Sequence, residues 1–568
     1  MIRDVLSGEI NKAIKILYPN IVYQVTVVRT SNSEFGDYSF AAMDLTSRVG
    51  QNPRQIAEEI RKKLMDSGNF NKYVAKTEIA GPGFLNFWLS DESLIKELVD
   101  LTKNSGRSFL LNRGKKEKIS LDYLDANPTG PVHLGHARSG FYGDALSNIL
   151  EFYGHKISRE FYVNNAKSSK QIQSLGKTAL SVVEGGQGEE YKHEQLLEIL
   201  KKPEVQKKLK KMEDPKEAGF YIAGLIQKEN ESFLKKIAKI KFDIFFAEEK
   251  VYSSSKVKEI IEKLKKASVA YEKDGALWFK SAQYGDTEDR VLIRSTGEPT
   301  YFVPDIYYHL DRLIKRKNDK IINIFGADHY GAIARVKGAL AALGIDTEKI
   351  VYLLVQMVRL IKGGEELKMQ KRKGVFVTLE ELIKDVGLDV VRFFFLMRSL
   401  DTHMDFDLDL AKERSKKNPV YYAQYAHARA CSILRKGSIR HQVNFEFLIP
   451  KIFASRKFCA PTPRIQNLSG GFERNLILKL IQFPEIIEDI TKDYQVHRLT
   501  TYVYELAKIF TDFYENAPVL KAETKELKKS RLALVMITKK ILNQALNLMG
   551  ISAPEKMSIF DIKCRKLT

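Results

Sequence analysis

Apolar residues along this chain recur at two different periods, and the points where one period replaces the other divide it. Ile119, Leu121 and Tyr123 alternate with Ser120, Asp122 and Leu124, the pattern of a half-buried strand. Asn127, Pro128, Thr129, Gly130 and Pro131 then predict a loop. Beyond it Phe141, Ala145, Ile149 and Tyr153 recur every four residues, and Gly154 reads as the C-cap of a helix. A second strand is predicted over 157–163, and further strands over 276–279, 290–293, 321–325 and 351–356. Upstream, Asn52, Pro53 and Gln55 give a cap, a first-turn proline and a capping-box partner for a helix with Ile56, Ile60 and Leu64 on one face. Residues 74–80 and 84–89 predict a hairpin around Gly81-Pro82-Gly83. The stretch 178–265 is rich in Lys and Glu and helical in pattern. It includes a solvated basic helix at 201–211 and a helix at 256–267 capped by Ser253–Ser255. From about 380 the strand signals stop. An apolar helix at 389–399 leads to a helical region that opens at 418–430, breaks at 460–463 and 518, and includes a long helix at 531–549. The pattern therefore predicts an α+β part over 1–110, an α/β part over 111–400 and an all-α part over 401–568, with a polar, basic linker at 103–118.

Composition narrows the class. A length of 568 residues calls for more than one domain, and 44% hydrophobic residues is enough for a sizeable core. No run of eighteen apolar residues occurs, so no membrane span is expected. Residues 1–20 carry charges throughout and lack a signal-peptide core. Cys431, Cys459 and Cys564 are far apart and form no CxxC, which predicts free thiols, a reducing compartment and no structural zinc. The net charge of +21 suits a polyanionic partner.

Candidate chemistry gathers at the ends of predicted strands. His133 and His136 fall at a loop-to-helix junction, where unpaired N–H groups and the positive dipole end favour an anion. Two imidazoles there add donors for a phosphate that gains charge during reaction, and Gly135 leaves room for a flat ring against the backbone. The same residues also read as capping histidines at an ordinary strand–helix turn. Tyr301 and Asp305 lie one turn apart if helical and could converge on one ligand, although Asp305 also reads as a helix-start carboxylate. Gly326, Asp328 and His329 follow a buried strand, where open α/β sheets hold ligands. Tyr421, Tyr422 and Tyr425 with Arg429 form a stripe that would stack on bases or pack as core.

These motifs carry a resemblance. P-T-G-P-V-H-L-G-H at 128–136 resembles the HIGH signature of class I aminoacyl-tRNA synthetases. The flanking D-A-N-P-T-G-P and A-R-S-G-F-Y-G-D-A-L resemble bacterial-type arginyl-tRNA synthetases, as do E-F-G-D-Y at 34–38, A-G-P-G-F-L-N-F at 80–87 and L-M-G-I-S-A-P-E-K-M at 548–557. L-K-M-Q-K-R-K-G at 367–374 resembles the KMSKS loop, with Lys368, Met369 and Lys371 kept and Gln370 and Arg372 in place of the serines. The likeness is weakest between about 178 and 250. It implies a Rossmann-like nucleotide-binding catalytic domain with a connective insertion at about 178–265, an N-terminal α+β domain, and a C-terminal all-α anticodon-binding bundle. The implied activity is ATP-dependent ligation of L-arginine to the 2′-hydroxyl of the terminal adenosine of tRNA(Arg), with Mg2+ accompanying ATP, in a cytoplasmic monomer.

Carried over residue by residue, the resemblance implies that His133, His136, Lys368 and Lys371 are catalytic. Pro128, Gly135, Gly326, Asp328 and Met369 would join them around ATP. Asp122, Asn127, Asn164, Tyr301, Asp305 and His329 would select arginine. A guanidinium is a planar fork of donors whose natural partner is a carboxylate. The family's Y-x-N-D stands here as Tyr162-Val163-Asn164-Asn165, which puts the role of Asn165 in question. Phe35, Tyr38, Tyr421, Tyr425 and Arg429 would meet tRNA. The competing readings are a ligase for another acid and a non-catalytic tRNA-binding relative.

Overall fold

The computed structural model describes residues 1–568 except 31, 103–106, 112, 125, 189, 253–254, 328–329, 368–377, 438–470 and 558–568. At its centre is a five-stranded sheet in the spatial order Ile350–Val355, Lys320–Gly326, Lys118–Asp122, Lys156–Val163, Ile244–Ala247. Every neighbouring pair is parallel. Numbered by position in the chain, this is the doubly wound order 3-2-1-4-5. Its direction reverses between Lys118–Asp122 and Lys320–Gly326, and a crevice opens there at the carboxyl ends of the strands.

The central strand is buried on both faces, not half-buried as its alternation predicts. Helices cover both sides of a parallel sheet, so the polar positions must find partners inside. Ser120 does so with the Glu160 carboxylate and with Arg312, whose Nε donates to it at 2.7 Å. The helix Leu134–Tyr153 packs against the end of this strand through glycines. A Cβ at Gly140 would lie 2.5 Å from Leu124, and one at Gly143 would lie 2.3 Å from the Tyr123 ring.

Before the sheet, Val27–Arg29, Tyr38–Ala41, Phe84–Leu89 and Val74–Ala80 form a four-stranded antiparallel sheet that contains the hairpin expected at 74–89. Asn52 caps Pro53–Met65 as predicted, its side chain accepting the Arg54 N–H at 2.9 Å. The expected basic helix at 201–211 is broken. One helix ends at Lys201 and another runs Pro203–Leu209, because the residue before a proline leaves the helical region. Ser255 precedes Lys256–Lys266 without a side-chain cap. Strand structure also continues past 380, since Met404–Asp407 pairs in parallel with Val358–Lys362. The C-terminal part is helical, with Pro419–Lys436, Phe472–Ile481, Phe483–Asp493, His497–Asn516 and Lys525–Leu548.

Candidate active site

The site begins at the carboxyl end of the central strand. The loop after it enters Leu134–Tyr153 with His133 as N-cap, and His133 Nδ1 accepts the Gly135 N–H at 3.1 Å. His136 Nδ1 accepts the His133 N–H at a long 3.5 Å. The two rings stack with centroids 3.7 Å apart. With both Nδ1 atoms accepting, each neutral ring carries its proton on Nε2 and is a donor there. The capping reading of the histidine pair is therefore observed: both rings close the helix start through Nδ1. Pro128 is buried and Asn127 exposed in the same loop.

The chain after 377 returns to this loop. Thr378 bridges His133, and the Leu379 N–H donates to Val132 O at 3.1 Å. On the entering side the Leu367 N–H donates to Leu360 O at 2.8 Å. The two ends of the lysine-bearing segment are thus anchored, one of them directly on His133. Lys368, Met369, Lys371, Asp328 and His329 lie outside the described residues. Gly326 ends its strand opposite Val355, on the far side of the crevice from Asp122.

The carboxyl end of the same sheet also carries an acidic pocket. Asp122 ends the central strand and is buried. Asp305 stands in the first turn of Phe302–Leu310, and its N–H donates to Tyr301 O at 3.3 Å, so the one-turn spacing of that pair is observed. Both carboxylates act on the Tyr352 hydroxyl and push its pKa up, after burial as the main cause. Glu248 is 3% exposed at the carboxyl end of Ile244–Ala247. Burial, and next the Asp305 carboxylate, push its pKa up to about 8, against hydrogen bonds from the Ala166 N–H and the Tyr252 hydroxyl. Glu248, Asp305 and Tyr301 all raise the pKa of Tyr252, which brings these four side chains within electrostatic reach of one another. Asn164 follows Lys156–Val163 at the same edge.

His309 fixes the back of the pocket. Its Nδ1 contacts Asp305 O at 2.8 Å, and its Nε2 meets the Tyr352 hydroxyl at 2.9 Å. Burial, with nearby Arg312, lowers its pKa to about 3, so it stays neutral with the proton on Nδ1.

Sequence reasoning missed Glu248, Tyr252 and His309. The rule that pointed to Gly326 would have found Glu248, since I-F-F-A at 244–247 is a short apolar strand with two glutamates after it.

Among the residues expected at tRNA, Phe35 is exposed. Tyr38 is not. It is fully buried, and its hydroxyl donates to Glu485 at 3.0 Å. Its face of the sheet is covered by the C-terminal helices, so the expectation of a tRNA contact at Tyr38 is corrected to a domain contact. Gly36, at φ +83, approaches so closely that a Cβ would lie 2.7 Å from Phe87 O. Tyr421 and Tyr425 are half-buried, while Arg429 is exposed and its guanidinium lies 5.1 Å from the centre of the Tyr514 ring.

Three family descriptions match the chain in order: "Arginyl tRNA synthetase N terminal domain" over 2–89, "tRNA synthetases class I (R), catalytic domain" over 100–392, and "DALR anticodon binding domain" over 423–557. The chain is 38% identical to the arginine–tRNA ligase of Bacillus licheniformis, covering 98% of this chain and 99% of that one. It is also 38% identical to the Bacillus subtilis enzyme, at 98% and 99%. Its fold matches Thermus thermophilus arginyl-tRNA synthetase with a TM-score of 0.75 over 98% of this chain and 100% of that one, at 21% identity. With a parallel nucleotide-binding sheet, histidines at its switch point and this likeness over nearly its whole length, the chain belongs to the arginyl-tRNA synthetase family of class I and is an ATP-dependent arginine–tRNA ligase.

Proposed function

We propose the following division of labour for the ligase reaction. Arginine enters the acidic pocket side chain first, and Glu248, Asp305 and Asp122 supply the negative charge that its guanidinium pairs with. Tyr301 and Asn164 orient it, and Asn127 meets its α-amino end. ATP enters as its magnesium complex with the adenosine along Gly135 and Gly326 and the phosphates toward His133 and His136, beside Pro128. The arginine carboxylate attacks the α-phosphate, and pyrophosphate leaves. The two Nε2–H donors stabilise charge growing on the phosphate, and Lys368 and Lys371, with Met369 between them, close over the leaving group. Asp328 is assigned to ATP and His329 to arginine on the resemblance alone. The 2′-hydroxyl of the terminal adenosine of tRNA(Arg) then attacks the carbonyl of the arginyl-adenylate, losing its proton as the ester forms and AMP leaves.

The observation that carries this reading is the buried Glu248 carboxyl, held up to about 8 beside Asp305, after the edge strand of the sheet whose central strand leads into the histidine pair. A pocket built this way gains most when a cation fills it. A neutral amino acid would bring no positive charge to this acidic group of side chains, which supports arginine over other acids. The non-catalytic alternative has no such support, since it gives the paired Nε2–H donors no role.

Phe35, Tyr421, Tyr425 and Arg429 are proposed to meet tRNA, as the net charge of +21 favours. The domains are proposed to run 1–110, 111–400 with the insertion at about 178–265, and 401–568. We further propose that the enzyme works as a cytoplasmic monomer, and that tRNA is needed for activation. Among the described residues no helix is long and apolar enough to cross a membrane. The test is arginine-dependent exchange of labelled pyrophosphate into ATP, with and without tRNA(Arg). Exchange with arginine alone among the amino acids supports the pocket, and its loss in His133→Ala with unchanged arginine affinity supports the histidine role. Equal exchange with lysine would overturn the pocket assignment.

A further inference from the structure

The loop that carries the histidines is held from outside the nucleotide fold. The His193 Nε2 lies 2.9 Å from Thr129 O. Asn230 Nδ2 donates to Gly130 O at 2.9 Å. The Tyr191 hydroxyl hydrogen-bonds the Thr129 side chain. All three come from the insertion, the part of the chain whose sequence resembles the family least. The tautomer of His193 is fixed by its other nitrogen. Nδ1 accepts the Leu196 N–H at 3.2 Å as the N-cap of Glu194–Lys201, so Nε2 bears the proton and donates to the Thr129 carbonyl. The fit is tight, for a Cβ at Gly130 would lie 3.3 Å from His193 Nε2.

The mount for these contacts is stiff. The helices Lys170–Val183 and Pro215–Lys236 cross at glycines: a Cβ at Gly176 would lie 1.9 Å from Pro215 O, and one at Gly219 would lie 1.8 Å from Ile172 O. The insertion has its own apolar cluster, including Ile172, Leu175, Leu196, Ile222 and Ile226. Asn230 is 4% exposed near the end of the longer helix. On the other side, the loop is held by the bridge between His133 and Thr378 and by Leu379 N–H on Val132 O. Loop carbonyls without strand or helix partners need donors, and here the insertion supplies them at the two residues before Pro131.

We propose that Tyr191, His193 and Asn230 are positioning residues for amino-acid activation: the insertion clamps the Thr129 and Gly130 carbonyls and the Thr129 side chain, and so sets where His133 and His136 meet the phosphates of ATP. This rests on the reading of the histidines given above. The insertion thereby belongs to the activation machinery.

Pyrophosphate exchange and thermal unfolding of the full chain test it with variants that separate the two nitrogens of His193. In His193→Asn the side-chain oxygen keeps the helix cap but no donor reaches Thr129. In His193→Gln the amide stands where Nε2 was, and the cap is lost. His193→Asn should lower kcat/KM for ATP about tenfold, as loss of one net hydrogen bond does, with arginine KM and Tm unchanged. His193→Gln should keep ATP turnover within about twofold and lower Tm, which a merely structural role would reverse. Asn230→Ala should match His193→Asn, and the double variant should lose less than the product of the two, since both hold one loop. His133→Ala is measured in parallel. If it loses exchange while His193→Asn and Asn230→Ala keep wild-type ATP kinetics, the clamp is wrong and the histidine role stands. If His133→Ala itself keeps exchange, the histidine reading fails first.

Discussion

Arginine binding should expel a proton from Glu248. In the empty pocket this carboxyl titrates at about 8, because burial and the Asp305 carboxylate both disfavour its charge. At pH 7.5 a group titrating at about 8 is about three-quarters protonated. The guanidinium has only donors, so it pairs with the ionised form and releases about three-quarters of a proton per arginine bound at that pH. If only the ionised form binds, apparent affinity for arginine should rise about eightfold from pH 6.5 to 7.5 and level off above about 8.5. Calorimetry of arginine binding in two buffers of different ionisation enthalpy reads the proton directly. Glu248→Gln should abolish the release and flatten the pH dependence. It should also weaken binding about 10- to 100-fold, the range for a hydrogen bond to a charged group. Stability moves with the opposite sense to affinity. Between the ordinary value of 4.5 and about 8 the folded chain holds a proton that the unfolded chain has lost, so this group lowers stability as pH rises through that window, by up to about 1.4 kcal/mol per unit. Proton uptake in place of release, or an arginine KM flat from pH 6.5 to 9 in the wild type, would refute the assignment.

Four further outcomes follow, three of them from buried polar contacts. Arg392, 0% exposed, donates to Asp144 at 2.8 Å and to the carbonyls of Ala238, Lys239 and Met549, so Arg392→Met should cost about 3–5 kcal/mol in urea unfolding by stranding that carboxylate. Gly550→Ala should lower Tm sharply, because a Cβ would lie 2.3 Å from Arg392 Nη1 at a residue with φ +69. Tyr38→Phe should destabilise by about 1.5–3 kcal/mol through the lost bond to buried Glu485, whereas Phe35→Ala should shift stability by less than about 0.5 kcal/mol and weaken tRNA binding in a filter or anisotropy assay.

What the sequence made legible was local. The strand at 118–122, the helix at 134–153 with its Gly154 cap, and the histidines at their junction follow from periodicity and capping chemistry, which act over a few residues. Tyr301 and Asp305 were legible for the same reason, since one helical turn relates them. Glu248 was missed because its partner Asp305 is far along the chain: the strand-end rule marks the position after I-F-F-A, but not that the carboxyl there is buried beside that partner. Burial of Ser120 and Glu160 was likewise hidden. Each is a polar residue within a strand, and only pairing with Arg312 and Arg316, from the helical segment packed on the sheet, lets them face inward. Met404–Asp407 escaped notice because two of its four residues are aspartates, which strands disfavour, and its parallel partner is 46 residues away in register at Arg359–Asp405.

Tyr38 shows why an aromatic read as a ligand contact became a domain contact. The N-terminal sheet meets the C-terminal helices through charges as well as apolar side chains. Arg474 forks onto Asp37 at 3.0 and 2.7 Å. Arg29 reaches Glu485 and Asp489, and Arg3 reaches Glu488 and Asp489. Arg113 joins Asp4 to Glu488. Replacing such a set with apolar residues would often be neutral for stability, but removing one member strands the rest. The arrangement therefore contributes less to total stability than to the choice of one docked geometry, since a shifted interface leaves several buried ions unpaired at once. That choice matters for a ligase whose N-terminal and C-terminal domains keep one position relative to each other through these contacts. It also explains why E-F-G-D-Y is so recognisable as a motif. Gly36 allows the turn, Asp37 takes the arginine fork, and Tyr38 reaches Glu485, so its residues are fixed by the domain interface whether or not Phe35 touches RNA.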